Sequence, residues 1–263
     1  MSWLKMTSKS LFLMKGGTNQ FLEKIDLTVH GSPGDQEFKL DVPIQWLKGS
    51  DVPRAIVIDV GSTEEPDNAS KSFDADDVFS KVIKRSDWKA SAPTSRFEII
   101  DRPKFIVIHH TETSPSSDGL KGAKSAAKGI QDFHMAPKPK GRGWSDIGYS
   151  FLNTVDGILV EGRFGSLEEA IKGNAVRGAH AGTDDGNRAP GVASEGNFQT
   201  KAMDSQQWDS LVSMCVALCQ SCDIEPSQIK GHRDFVPTDC PGQWLYDQLD
   251  QLIKEVAQKL SRS

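Results

Sequence analysis

The 263-residue sequence predicts an α/β domain over residues 82–263 behind a small β-rich N-terminal domain over residues 1–75. Three observations carry this. Phe105-Ile-Val-Ile108 is a continuous apolar run bounded by Pro103 and by the polar residues after His110, the pattern of a strand covered on both faces. Two segments near the C-terminus, 204–222 and 244–260, repeat apolar residues at helical spacing. The first forty or so residues instead alternate at period two: Ile25, Leu27 and Val29, then Phe38, Leu40 and Val42.

In chain order, the turn-like Gly31-Ser-Pro-Gly-Asp35 joins the first two strands, and Ala55-Ile-Val-Ile58 is a third apolar run. Residues 61–72 shift to Ser, Thr, Glu, Pro, Asp and Asn, which places a boundary near 62–80. A helix is expected over about 119–134. Strands at Tyr149–Leu152 and Ile158–Val160 flank Asp156-Gly157, a hairpin signal. The 204–222 helix is expected to open on Asp204 as N-cap with Gln207 completing a capping box. Its apolar face holds Trp208, Leu211, Val212, Cys215, Cys219 and Cys222. The last helix aligns Leu249, Leu252, Ile253, Val256 and Leu260.

Composition excludes several classes of function. A formal charge of −5 argues against a nucleic-acid binder held by phosphate contacts. No stretch approaches the roughly 18 apolar residues of a membrane span. The Leu11–Met14 patch is too short for a secretory signal, so synthesis in the cytoplasm without a signal peptide is expected. Cys215, Cys219 and Cys222 match C-x3-C-x2-C, a spacing known from iron–sulfur enzymes, but offsets of four and three put all three on one apolar helix face, where cysteine packs as a small hydrophobe. Gly182–Asn187 lacks a calcium-loop pattern and reads as an exposed turn.

The chemistry concentrates in five of the six histidines, His109, His110, His134, His180 and His232, all in the second domain. Gly231-His-Arg-Asp234 is followed by Pro237-Thr-Asp-Cys-Pro-Gly242. His232 and Cys240 are separated by a loop long enough to aim both side chains at one point. With a histidine from the end of the buried strand they supply two imidazoles and one thiolate, a catalytic zinc set that leaves the fourth position open. Two neutral imidazoles and one thiolate leave the ion with net positive charge for hydrolysis. The alternative is a core cysteine and a turn histidine that cap local backbone.

These motifs belong to a longer series: Arg85-Ser-Asp-Trp-Lys-Ala90, Ile106-Val-Ile-His-His-Thr111, Gln131-Asp-Phe-His134, Gly143-Trp-Ser-Asp-Ile-Gly-Tyr-Ser-Phe151, Glu161-Gly-Arg163, Gly178-Ala-His180, Gly196-Asn-Phe198, Gly231-His-Arg233 and Thr238-Asp-Cys-Pro-Gly242. In order and spacing the series resembles that of peptidoglycan-recognition proteins and the related phage amidase lysozymes, zinc-dependent N-acetylmuramoyl-L-alanine amidases among them. The resemblance covers roughly residues 82–260. It implies a central mixed β-sheet flanked by helices and a cleft floored by Zn2+ that accepts the muramoyl peptide of peptidoglycan. It implies His109, His232 and Cys240 as metal ligands, Tyr149 and Thr238 as catalytic residues, and His134, Trp144, His180 and Arg233 as substrate-binding residues. Because non-enzymatic receptors of the family usually lose the cysteine, Cys240 favours an enzyme; a non-catalytic peptidoglycan-binding module is the alternative.

The sequence departs from the family in two places. Some bacterial members carry a glutamate where Ala193 stands here, with Glu195 as a reserve candidate, and Ala136-Pro-Lys-Pro-Lys-Gly141 is an insertion expected to lengthen a loop beside the cleft. The paired histidines pose a geometric question. Neighbours in a strand point to opposite faces, so one zinc can take only one of them, and the resemblance selects His109. The expected setting is a phage lysin or a toxin injected into a neighbouring cell, acting on the wall in the periplasm or outside the cell, with an immunity protein or delivery machinery as a partner.

Overall fold

The computed structural model describes the strands Ile25–Val29 and Gln36–Leu40, then residues 73–114 and 118–261. The Ala55–Ile58 run and the polar 61–72 segment lie outside the described residues. The chain divides into two compact units, Met1–Asn68 and Ala69–Ser263. In the first, β1 (Ile25–Val29) and β2 (Gln36–Leu40) pair antiparallel, Ile25 opposite Leu40 and Val29 opposite Gln36.

The second unit runs α1 (Ala75–Ser80), β3 (Ile99–Asp101), β4 (Ile106–His110), α2 (Gly119–Met135), β5 (Phe151–Asn153), β6 (Leu159–Glu161), α3 (Ser166–Ile171), β7 (Asn174–Val176), α4 (Asp184–Asn187), β8 (Gly191–Ser194), α5 (Ser205–Cys222), β9 (Ile229–Gly231), α6 (Gln243–Asp247) and α7 (Leu249–Leu260). Five strands form a mixed sheet in the order β6-β5-β8-β4-β9, all parallel pairs except β5 with β6. β3 and β7 form a separate antiparallel pair. The mixed sheet flanked by helices is the architecture that the resemblance implies.

Strand alternation divides the sheet into two faces. Ile106, Ile108, Phe151 and Val192 point into the larger core, with Leu211, Met214, Leu218, Leu252 and Val256 from α5 and α7. Leu152, Val160 and Ala193 point the other way, onto Ala123 and Ala127 of α2 and the Trp88 ring. In β4 every residue is buried, as a central parallel strand requires. His109, two residues on from Val107, therefore belongs to the α2 face, and His110 to the α5 face.

Local expectations fail in three places. The N-cap of α5 is Asp204, but its side chain makes no capping hydrogen bond, and Gln207 is buried with its amide donating instead to the Asn153 and Glu195 carbonyls, at 2.9 and 3.0 Å. The last helix breaks at Gln248 into α6 and α7. Gly182–Asn187 is not a plain turn: Thr183 accepts from the Gly186 N–H and caps the single turn of α4. Cys215, Cys219 and Cys222 lie buried in the core, as a helix face of small hydrophobes should, and burial raises all three thiol pKa values.

A domain starting at 82 omits α1, yet Ala75, Val78 and Phe79 are buried in the same core as α5. We propose that the folding unit begins before Phe73. A 69–263 fragment is expected to be more stable than 82–263 by about 3 kcal/mol, the order of removing one buried phenylalanine. Equal denaturation midpoints would contradict this.

Candidate metal centre

His109 is the penultimate residue of β4 and His232 directly follows β9, the strand that pairs in parallel with β4, with Ile108 opposite Gly231. Neighbouring strand ends thus bring the two imidazoles together, their ring centroids 4.6 Å apart. Crevices at the carboxyl ends of parallel strands are the common place for ligand sites. The loop after His232 returns Cys240, and ligand atoms of His109, His232 and Cys240 lie within 4.8 Å of one another. His109 Nδ1 and Cys240 Sγ are 3.6 Å apart. Two ligands at bond lengths of about 2.0 Å (N) and 2.3 Å (S) in a tetrahedral set would stand about 3.5 Å apart, so this edge already has the spacing of a coordinated pair.

Hydrogen bonds decide which nitrogen His109 offers. The Ala189 carbonyl can only accept, so His180 Nε2, 3.1 Å from it, carries a proton. The neutral His180 ring then presents Nδ1 as an acceptor, and His109 Nε2, 3.0 Å away, donates to it. His109 Nδ1 is left with its lone pair facing Cys240. His180 is thus buried behind His109 and orients it, rather than facing substrate as the resemblance implies. Its ring lies so close to Gly178 and Gly191 that a Cβ at either would overlap it. Burial holds the His180 pKa down at about 3, which keeps the ring uncharged at neutral pH.

His232 Nε2 is buried without a hydrogen-bond partner among the described residues. An orphaned imidazole nitrogen beside a thiol and a second lone pair is the property of a metal ligand. Burial raises the Cys240 thiol pKa to about 12, so a free thiolate nucleophile is disfavoured, and ionisation calls for a cation. The His110 backbone N–H points at Cys240 Sγ, 3.4 Å away, and supports a sulfur that carries negative charge. The His110 ring lies on the other face of the strand, where Nδ1 accepts from the Phe198 N–H at 3.3 Å.

The remaining expected site residues divide into two groups. His134 lies in the last turn of α2 with Nδ1 accepting from Gly148 N–H at 3.1 Å and its ring 4.7 Å from Trp144 and 5.5 Å from Tyr149. Tyr149 lies just before β5 rather than on a strand, its ring 5.2 Å from His109. These three residues flank the metal-ligand cluster. Thr238 and Arg233 instead hold the Cys240 loop. Thr238 Oγ1 accepts from Cys240 N–H at 3.3 Å; Arg233 donates to the Asp239 carbonyl and to Gln243 and lies 4.6 Å over Tyr246. Glu195 accepts from the Val155 N–H at 3.2 Å and is not part of the cluster. The 136–141 insertion folds back onto the end of α2, and Trp144 N–H donates to the His134 carbonyl at 2.8 Å, which seats the indole on the imidazole.

Two further residues have roles that the sequence reading missed. Arg85, with Gln131, binds the fully buried Asp146 carboxylate, 3.1 Å at the ion pair, and this anchors the segment carrying Trp144 and Tyr149. Arg163 is buried against the Phe97 ring at 4.2 Å, donates to the Ile147 and Arg177 carbonyls, and leaves Nη2 without a partner among the described residues. Arg163 lines a cavity of about 220 Å³ with Arg96, Phe97, Trp144 and Arg177. A buried guanidinium nitrogen among further arginines fits a carboxylate.

Residues 100–243 match the family described as N-acetylmuramoyl-L-alanine amidase. Peptidoglycan-recognition protein SC2 of Drosophila simulans is 30% identical over 171 residues, covering 64% of this chain and 84% of the relative. The structure of peptidoglycan recognition protein LE in complex with tracheal cytotoxin, a monomeric diaminopimelic acid-type peptidoglycan, is similar with a TM-score of 0.56 at 25% identity, covering 65% of this chain and 94% of that one. The endolysin N-acetylmuramoyl-L-alanine amidase LysCS from Clostridium intestinale gives a TM-score of 0.51 at 27% identity, covering 66% and 95%. No helix among the described residues is long and apolar enough to cross a membrane.

Proposed function

Because the chain belongs to the N-acetylmuramoyl-L-alanine amidase family, which it shares with peptidoglycan-recognition proteins, we propose that it is a zinc hydrolase cutting the amide between N-acetylmuramic acid and L-alanine in peptidoglycan. The observation that carries this is the His109, His232 and Cys240 cluster, in which the buried His232 Nε2 atom has no hydrogen-bond partner among the described residues. Two imidazoles and one thiolate suit zinc, and three protein ligands are the complement of a catalytic rather than a structural site. When bound, the ion supplies Lewis-acid polarisation of the carbonyl and acidifies water.

The chain's own residues do the rest. His180 fixes the His109 ring so that Nδ1 faces the metal position. Tyr149, its pKa raised by burial, stays protonated and donates its hydroxyl proton to the carbonyl oxygen as negative charge develops there. His134 and Trp144 wall the cleft beside it. Arg163 receives a carboxylate of the peptide in the adjoining cavity. Thr238 and Arg233 keep Cys240 in reach of the two histidines. The substrate places the site of action at the cell wall, as for a lysin or a secreted antibacterial toxin, the latter with an immunity protein as partner.

A non-catalytic recognition module of the same fold is the rival, and metal content separates them. The purified full-length protein is expected to hold one zinc per chain by atomic emission and to lose wall hydrolysis on chelation, with recovery on adding zinc. Metal-free protein with unchanged hydrolysis would sink the zinc reading; muropeptide binding with neither metal nor hydrolysis would favour the rival.

A further inference from the structure

Hydrolysis of an amide needs a group that takes a proton from water and returns it to the leaving nitrogen, and the metal-ligand cluster itself contains no carboxylate. The carboxylates around it are mostly engaged. Asp146 is bound by Arg85, Glu195 accepts from Val155, and Asp234 is bound by Tyr246 and by the Gly231 N–H. Ala193, which lies beside His109 in the parallel register, brings no polar group.

Glu112 differs from all of these. It is three residues beyond His109, exposed, and its carboxylate makes no hydrogen bond or ion pair among the described residues. Its backbone has φ 57°, a left-handed conformation that glycine adopts freely and glutamate does not. The conformation is held from both sides: Glu112 N–H donates to the Gly196 carbonyl at 2.9 Å, and Gly196 N–H donates to Thr111 Oγ1 at 3.0 Å. Thr111 N–H also donates to the Ser194 carbonyl at 3.0 Å, continuing the β4–β8 pairing up to this residue. Backbone held in such a region tends to cluster at functional sites, and Glu112 is held in it just beyond a metal-ligand candidate. Burial raises the Tyr149 and Cys240 pKa values, and the negative charge of Glu112 adds in the same direction at both.

We propose that Glu112 is an acid–base residue of the amide hydrolysis, an inference that rests on the amidase reading. As the water oxygen bonds to the carbonyl carbon, the Glu112 carboxylate takes the water's proton. As the C–N bond breaks, the same proton passes to the departing nitrogen. The products are a muramoyl carboxylic acid and a peptide with a free amine, and Glu112 returns to its carboxylate form.

The test uses the full-length chain, with kcat and KM on a soluble muropeptide, zinc content, and melting temperature. Glu112→Gln keeps the size of the side chain and removes the base; kcat is expected to fall roughly 100-fold or more while KM, zinc content and melting stay as in the wild type. Glu112→Gly suits the backbone conformation, so it should melt no lower than the wild type, lose turnover equally, and regain part of it when formate is added. A Glu112→Gln protein that keeps kcat within about threefold of the wild type, or that loses zinc along with activity, would overturn the assignment. So would a Glu112→Gly protein that formate does not rescue. A wild-type protein that holds zinc but releases no peptide would instead overturn the amidase reading, and this assignment with it.

Discussion

His109→Ala is expected to lose bound zinc and hydrolysis together, whereas His110→Ala keeps the metal and loses at most about tenfold in turnover. The two histidines are adjacent in β4, and both are buried. Alternation sends His109 toward Cys240 and His232, with Nδ1 freed by the bond from its Nε2 to His180. It sends the His110 ring to Phe198. Truncating His110 leaves the Phe198 N–H unsatisfied at a cost of about 1–3 kcal/mol of stability. The His110 backbone N–H still points at the Cys240 sulfur, because an alanine retains it. Metal analysis of both proteins decides the matter: zinc lost from His110→Ala and retained in His109→Ala would reverse the assignment of the ligand.

Cys240→Ala should abolish zinc binding and turnover with the fold intact, and Cys219→Ala should do the reverse. Cys240 is half-buried in a loop outside the hydrophobic cores, so its removal leaves the packing of α5 and α7 untouched. Cys219 lies in the core on α5, and truncation there costs about 1 kcal/mol of packing while leaving the metal position alone. Equal metal loss in both variants would mean that the α5 thiols take part in metal binding. Circular dichroism and zinc content, measured side by side, separate the two effects.

The sequence is most informative where an element is long or strongly patterned. The apolar run ahead of His109, bounded by Pro103 and a polar stretch, read as a buried strand, and Asp156-Gly157 between two apolar segments read as a hairpin. The α5 and α7 periodicities were equally legible. Short elements without such a turn signal were not: β3, β7 and β9 are held by pairing partners distant in sequence, and no local pattern marks them. Gln207 shows the limit of cap signals, since an amide at the expected position is recruited by the Asn153 and Glu195 carbonyls instead.

The site divides along the same line. The spacing of His232 and Cys240 and the strand before His109 suggested a ligand set, and the motif series narrowed it to named residues. The histidine behind His109 was visible only as a motif residue, because a proton chain from His109 through His180 to the Ala189 carbonyl is a property of three segments in space. Arg163 was legible only as a member of the motif series, with no role attached. It stands in a short Glu161-Gly-Arg163 run, and its unpaired nitrogen becomes evident only when the Ile147 and Arg177 carbonyls have claimed the others.

The most direct measurement of the central claim is mass spectrometry of purified peptidoglycan digested by the full-length protein with zinc present. Cleavage of the muramoyl amide predicts free peptides that begin with an N-terminal alanine, together with glycan strands whose muramic acid residues carry no peptide. New reducing sugar ends without such peptides, or peptides cut at internal bonds with the first alanine still attached to muramic acid, would contradict it.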